Sequence, residues 1–259
     1  MATEQSGSGD PARRLALLWR TPGAPARKGR SDLSVDKIVR AAIEIADAEG
    51  LAALSMRKVA DRLGVGTMSL YTYVPGKAEL TDVMLDTVYG ETERQEDAAG
   101  GWRARLERIA RDNRALYIRH PWMLQVATGR PVLGPNETAK YDHELRAVDG
   151  IGLTPLEMDS VITLISGYVH GAARGAVEAA QAVQRSGMTD EEWWRAHAPL
   201  LAMVSDAARF PTAAKVGQAA GAEYGAAHDP DRDFEFGLRR ILDGIEVLVR
   251  DRAAASADG

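Results

Sequence analysis

The sequence predicts an all-α protein, an N-terminal three-helix helix-turn-helix domain followed by a larger helical domain. Three observations predict it. Residues 55–77, SMRKVADRLGVGTMSLYTYVPGK, hold two short helical stripes joined by the tight turn Gly64-Val65-Gly66. No stretch sustains apolar and polar alternation with period two. Beyond residue 100, long segments of helical period are punctuated by glycine and proline.

In chain order, residues 1–33 are rich in Gly, Pro, Ala, Ser and Arg, and residues 11–30 carry Arg13, Arg14, Arg20, Arg27, Lys28 and Arg30 without an acid. This composition predicts a basic, largely disordered arm with one short helix around Arg13–Trp19. Such an arm follows phosphates or enters a minor groove. A solvated tail is the alternative, and Leu15, Leu18 and Trp19 offer a small docking stripe instead.

Residues 34–76 form the helix-turn-helix domain. Ser34 caps a helix from Val35 to about Glu49, Asp36 favours its positive end, Gly50 closes it, and Ile38, Ala42 and Ile45 form its buried stripe. Leu51 and Leu54 fill the gap toward Val59 and Leu63. Ser55 caps the next helix, whose Met56, Val59, Ala60 and Leu63 share one face while Arg57, Lys58, Asp61 and Arg62 lie outside. Gly64 ends it. A second short helix starts near Thr67 and runs to Pro75, with Leu70, Tyr73 and Val74 turned inward and Met68, Tyr71 and Thr72 outward. Lys77 opens the following helix although a cation there opposes the helix dipole, which points to a phosphate partner. An ordinary helical hairpin with a solvated lysine is the alternative.

Residues 77–252 form the larger helical domain and 253–259 a tail. The helix from Lys77 carries Leu80, Val83, Met84 and Val88 and ties the two domains. Further helices are expected at about 101–119, 121–128, 136–149, 155–186, 190–208 and 230–251, with breaks that include Pro121, Gly187 and the Gly/Ala-rich 211–229. In 155–186, Gly167, Gly171 and Gly175 recur every fourth residue. Each costs about 1 kcal/mol against alanine, so a close helix crossing, within the chain or between subunits, is expected to offset them. Phe234, Leu238, Ile241, Leu242, Ile245, Leu248 and Val249 give 230–251 a broad stripe. Together these helices suggest a four-helix dimer bundle, with a purely monomeric core as the alternative.

The chain's 259 residues carry a net charge of −5, but residues 1–90 are close to neutral, with 12 Lys/Arg and 11 Asp/Glu. The acid lies in the second part, so the overall charge does not exclude nucleic acid. The absence of cysteine excludes disulfides and thiolate metal sites. No apolar run is long enough to span a membrane, and Leu15–Trp19 is too short for a signal-peptide core, so a cytoplasmic location is expected. The sequence has no HExxH, GxSxG or GxGxxG, and its five histidines are widely spaced, so no enzyme activity, metal or cofactor is expected. The larger domain does supply pocket material. Trp102, Trp122 and Tyr168 with Gln125, His170 and Arg174 are the candidate ligand-binding residues.

Residues 38–80, IVRAAIEIADAEGLAALSMRKVADRLGVGTMSLYTYVPGKAEL, resemble the DNA-binding domain of the tetracycline-repressor (TetR) family of bacterial regulators. Gly50, Leu63-Gly64-Val65, Leu70-Tyr71, Tyr73 and Lys77 carry the likeness. The resemblance implies that Thr67, Met68, Ser69, Tyr71 and Thr72 face operator bases and phosphates and that Lys77 holds a phosphate. Tyr73 and Arg57 complete the candidate DNA-binding set. The remaining helices resemble the ligand-binding and dimerisation domain of the tetracycline repressor's subclass. The segment Val126–Pro131, VATGRP, resembles a loop that carries a metal-ligating histidine there but has no histidine itself, so tetracycline-magnesium is not the expected ligand.

These readings imply a homodimer, paired through helices at about 155–186 and 230–251, that reads a double-stranded palindromic operator and is released by a small apolar or aromatic effector. A helical enzyme or ligand carrier, or an architectural DNA binder without an effector, is the alternative.

Overall fold

The computed structural model describes residues 4–5, 10–21, 33–92, 100–127 and 129–257. Among them the architecture is helical, apart from a two-residue parallel pairing of Glu4–Gln5 with Val126–Ala127. Arg27, Lys28 and Arg30 of the expected basic arm lie outside the described residues.

The head consists of α2 (Val35–Glu49), a 3-10 turn (Leu51–Ala53), α3 (Met56–Leu63) and α4 (Thr67–Tyr71). Its stops and starts follow from single residues. The Ser34 and Ser55 hydroxyls accept from the Lys37 and Lys58 amides, each at 3.2 Å, and Gly64 ends α3 at φ 67°, where a side chain would be strained. The α4 helix ends at Tyr71, earlier than its stripe suggested. The chain then turns tightly, the Tyr73 and Val74 amides both donating to the Leu70 carbonyl at 2.9 Å. This keeps Leu70 and Val74 in the core.

The hinge helix α5 (Lys77–Tyr89) runs from the head into the body, and nine of its residues are buried, including Thr81, Asp82 and Asp86. It is therefore enclosed on nearly every side. One side is covered by α1 (Pro11–Leu18), whose Leu17 and Leu18 join the head's core. Residues 11–18 are thus a docked helix and not a disordered arm, although of the expected docking stripe only Leu18 is buried, Leu15 and Trp19 being exposed. Arg14 lies 3.7 Å from Asp82 and donates to the Val132 carbonyl at 3.4 Å, and Trp19 Nε1 donates to the Leu133 carbonyl at 2.9 Å.

The body contains α6 (Gly101–Arg119), a 3-10 turn (Pro121–Gln125), α7 (Pro135–Arg146), α8 (Pro155–Ser186), α9 (Asp190–Val204), α10 (Pro211–Tyr224) and α11 (Pro230–Ala257). Its core joins Leu106, Ile109 and Ala110 of α6 to Val161, Ile162, Ile165 and Val169 of α8 and to Phe234, Leu238, Leu242 and Ile245 of α11. Four expectations are corrected. The 121–128 helix is only a 3-10 turn before extended backbone. The Gly/Ala-rich 211–229 break holds α10, which alanine favours and which Pro211 and the left-handed Gly225 delimit. The helix expected to end at 208 ends at Val204. The tail from 253 continues α11 to Ala257.

Glycines mark two kinds of helix surface. A Cβ at Gly237 of α11 would fall 2.3 Å from the Tyr168 hydroxyl, so that glycine admits an intramolecular crossing. At Gly167, Gly171, Gly175 and Gly244 a Cβ would meet nothing within 4 Å among the described residues. The stripe on α8 is therefore open, and an intramolecular crossing does not account for it.

Candidate functional site

The outward face of the head is built by α3 and α4. On α4, Met68 is 77% exposed and Tyr71 41%, with Ser69 and Thr72 also exposed and Thr67 half-buried at the helix start. Met68 and Thr72 lie opposite Leu70, the residue that anchors α4 in the core, with Ser69 and Tyr71 on the flanks and Thr67 at the helix start. Arg57 on α3 is exposed and lies 3.9 Å from Asp61 of its own helix. The other α3 cations turn toward α2, Lys58 pairing with Glu49 and Arg62 lying 3.4 Å from Glu44. Tyr73 is half-buried against the head's core, and its ring supports α4. Lys77 stands at the first position of α5 after Gly76, which provides no side-chain cap, and its Nζ donates to the Leu51 carbonyl at 3.4 Å. Of the eight residues expected to meet DNA, Arg57, Met68, Ser69, Tyr71 and Thr72 are exposed, Thr67 is half-buried, and Tyr73 and Lys77 are partly engaged within the head.

The six expected ligand residues do not converge. Trp122 and Gln125 line a cleft of about 720 Å³ between the end of α2 and helices α6 and α8, together with Ile118, Ala176, Val177 and Gln181. Tyr168 lines a separate groove beside Gly171 and Phe234, stacks on Phe234 at 5.9 Å, and donates to the Asp233 and Phe234 carbonyls. Trp102 is packed against the body's core. His170 meets Tyr117 edge-on at 5.5 Å, and burial, then the nearby Arg174, lowers its pKa. Arg174 itself donates to the Leu124 carbonyl at 2.9 Å.

Sequence reading missed the buried polar groups inside the body. Glu144 on α7 accepts from Asn113 Nδ2 at 2.7 Å and from Lys140 at 2.5 Å, beside a small cavity also lined by Asp112 and His143. Nearby, Tyr89 and Tyr117 are hydrogen-bonded to each other, and burial pushes Tyr117 up to about 12 and Tyr89 well above its usual range. On α5, Asp86 accepts from the Asn136 and Glu137 amides at 3.0 and 2.9 Å and so caps α7 from the hinge helix. A lone acidic residue within an apolar helical stripe was the available signal for Asp82 and Asp86.

A small head with an exposed second helix, mounted through a hinge helix on a larger helical body, is the arrangement found by comparison with known proteins. Residues 38–84 match the family model described as bacterial regulatory proteins, tetR family, and residues 95–249 match the tetracyclin repressor-like C-terminal domain. The chain belongs to the TetR family. An HTH-type transcriptional repressor, DrrR1 of Streptomyces coeruleorubidus, is 50% identical over 258 residues, covering 99% of this chain and 93% of that protein. The tetracycline repressor class A from transposon 1721 of Escherichia coli is 28% identical, covering 85% and 94% of the two chains. Among solved structures, the Streptomyces coelicolor TetR family protein ActR in complex with actinorhodin is 28% identical, with a TM-score of 0.67 over 83% of this chain and 95% of that one. The two TetR family models fall on the head and on the body, and α1 lies outside both. Among the described residues, no helix is long and apolar enough to cross a membrane.

Proposed function

We propose that the chain is a ligand-responsive, DNA-binding transcriptional repressor that acts as a homodimer on a double-stranded, palindromic operator. The observation that carries this reading is the head, whose α4 is held by Leu70 and Val74 while Met68, Ser69, Tyr71 and Thr72 stay outside. That geometry suits a recognition helix entering the major groove. Thr67, Met68, Ser69, Tyr71 and Thr72 supply base-edge and phosphate contacts, Arg57 and Lys77 supply phosphate contacts, and Tyr73 holds the helix in place. The α4 face offers no Arg, Asn or Gln for bidentate base contacts, so one head reads weakly and specificity comes from two heads at fixed spacing.

The dimer face is the open Gly167-Gly171-Gly175 stripe of α8 beside the exposed Phe236 and Val247 of α11. The stripe reaches the exposed Leu164, so both helices carry one face for their own core and a second for a partner copy.

The effector is a small apolar or aromatic molecule, taken into the cleft that Trp122 and Gln125 line between the end of α2 and helices α6 and α8, and its entry favours a separation of the heads that fits the operator poorly. Actinorhodin and (S)-DNPA, seen with ActR, are the first compounds to try. The protein works in the cytoplasm and catalyses no reaction. The test is a gel-shift titration on DNA enriched from a random pool. Release by either compound, with a raised melting temperature, supports the reading. Turnover of a small molecule without any DNA enrichment contradicts it.

A further inference from the structure

His120 differs from the other four histidines in its surroundings. Its side chain is buried, Nδ1 lies 2.8 Å from Asp47 Oδ1, and Nε2 lies 3.0 Å from Glu91 Oε2. A neutral imidazole offers one donor and one acceptor, whereas an ionised carboxylate only accepts. Both contacts are hydrogen bonds to ionised carboxylates only when the ring holds both protons.

The three residues belong to three parts of the molecule. Asp47 is in the last turn of α2, in the head. Glu91 follows the end of the hinge helix α5, and His120 ends α6 of the body. Trp122 Nε1 donates to the same Asp47 oxygen at 2.8 Å, and the two rings meet at a steep angle, 6.3 Å apart. Among the described residues, Asp47 from α2, Glu91 from the end of α5, and Arg119 from α6, which lies 3.5 Å from Glu91, are the charged groups around the ring.

We propose that His120 is a positioning residue for operator recognition: as an imidazolium bridging Asp47 and Glu91 it fixes the head to the body, and loss of its proton releases one of the two carboxylates. A head held at this joint arrives at DNA already oriented. A loosened head must be ordered during binding, and that lowers affinity. Residues 34–92 contain no histidine, so no other imidazole lies within the head or the hinge helix. Operator affinity is thereby linked to the protonation of this ring, in addition to that of Asp82 on the hinge helix, whose pKa burial raises to about 6. The proposal rests on the regulator reading above.

The experiment uses the full-length dimer and a duplex enriched from a random pool, with affinity measured from pH 5.5 to 8.5 at constant ionic strength. Nitrogen-15 NMR of the His120 ring reports its protonation without DNA. The expected result is a ring that holds both protons at the acidic end of the series and a fall in affinity of about tenfold across it, the scale of one lost charge-assisted hydrogen bond. His120→Gln and Glu91→Gln should flatten that dependence. A purely structural role lowers the melting temperature but leaves the pH dependence parallel to that of the wild type. Parallel curves, or a ring that is neutral throughout the series, overturn the proposal. If His120→Gln fails to fold, Glu91→Gln, at an exposed carboxylate, decides the matter by the same criterion. Failure to enrich any DNA contradicts the regulator reading instead, and the ring spectrum still judges the bridge.

Discussion

At the scale of single residues, the reading of the head depends on which side chains leave the core. Met68, Tyr71 and Thr72 project while Leu70 is fully buried, so α4 presents a face of modest polarity. Substituting Tyr71 or Thr72 with Ala should change operator preference, by about 1–3 kcal/mol for a lost base contact. A binding-site profile identical to the wild type's places them outside the groove. Lys77→Ala should weaken binding to all sequences and shallow its salt dependence. A loss confined to the operator contradicts a phosphate role for Lys77. This face was legible in the sequence because helical periodicity fixes which residues oppose Leu70. The ligand residues were not, because cavities are made by residues distant in the chain. Trp122 and Tyr168 share an aromatic character but line different hollows.

At the scale of elements, α5 is tied on both sides by carboxylates. Asp86 caps α7, and a Cβ at Gly134 would fall 2.1 Å from its Oδ1. Gly134→Ala should therefore destabilise the protein by about 1–3 kcal/mol through overpacking, read as a lower denaturation midpoint. An unchanged midpoint shows that the contact yields freely. Asp82 makes no hydrogen bond, and burial, only partly offset by Arg14, raises its pKa to about 6 from an ordinary 3.8. The native state then holds the extra proton, so this residue's contribution to stability is fully present below about 4 and is lost as the pH rises through about 6. Asp82→Asn should abolish that fall. Denaturation at a series of pH values checks it, and a wild-type-minus-variant difference that stays constant between pH 4 and 6 contradicts it.

Elements bounded by strong punctuation were the legible ones. Helix α8 keeps its expected ends because Thr154 and Glu157 form a reciprocal cap before Pro155's turn closes, and Gly187 adopts φ 66° at the other end. Helix α10 was not legible, because its glycines read as breaks. One of them, Gly221, leaves room for the Trp194 ring, and a Cβ there would approach it to 2.8 Å. The docking of α1 was legible only as an alternative, through Leu18 of the Leu15, Leu18 and Trp19 stripe, while the pairing of Arg14 with Asp82 forms only in the folded chain.

At the scale of the whole molecule, both copies must act together. Among the described residues a Cβ at Gly171 meets nothing within 4 Å, so the Leu of Gly171→Leu starts in the open groove beside Phe234 and obstructs a partner. The variant should sediment as a monomer at concentrations where the wild type is a dimer, and it should lose operator affinity while melting normally. A dimer of unchanged strength moves the interface elsewhere.

The central claim is that two weakly reading heads, held apart at a fixed distance by one helical body, make a ligand-releasable repressor. Selection of bound duplexes from a random pool tests it most directly. The account predicts enrichment of a palindrome whose half-sites are centred about 34 Å apart, one turn of DNA. Enrichment of a single half-site, or of no sequence at low salt, would contradict it.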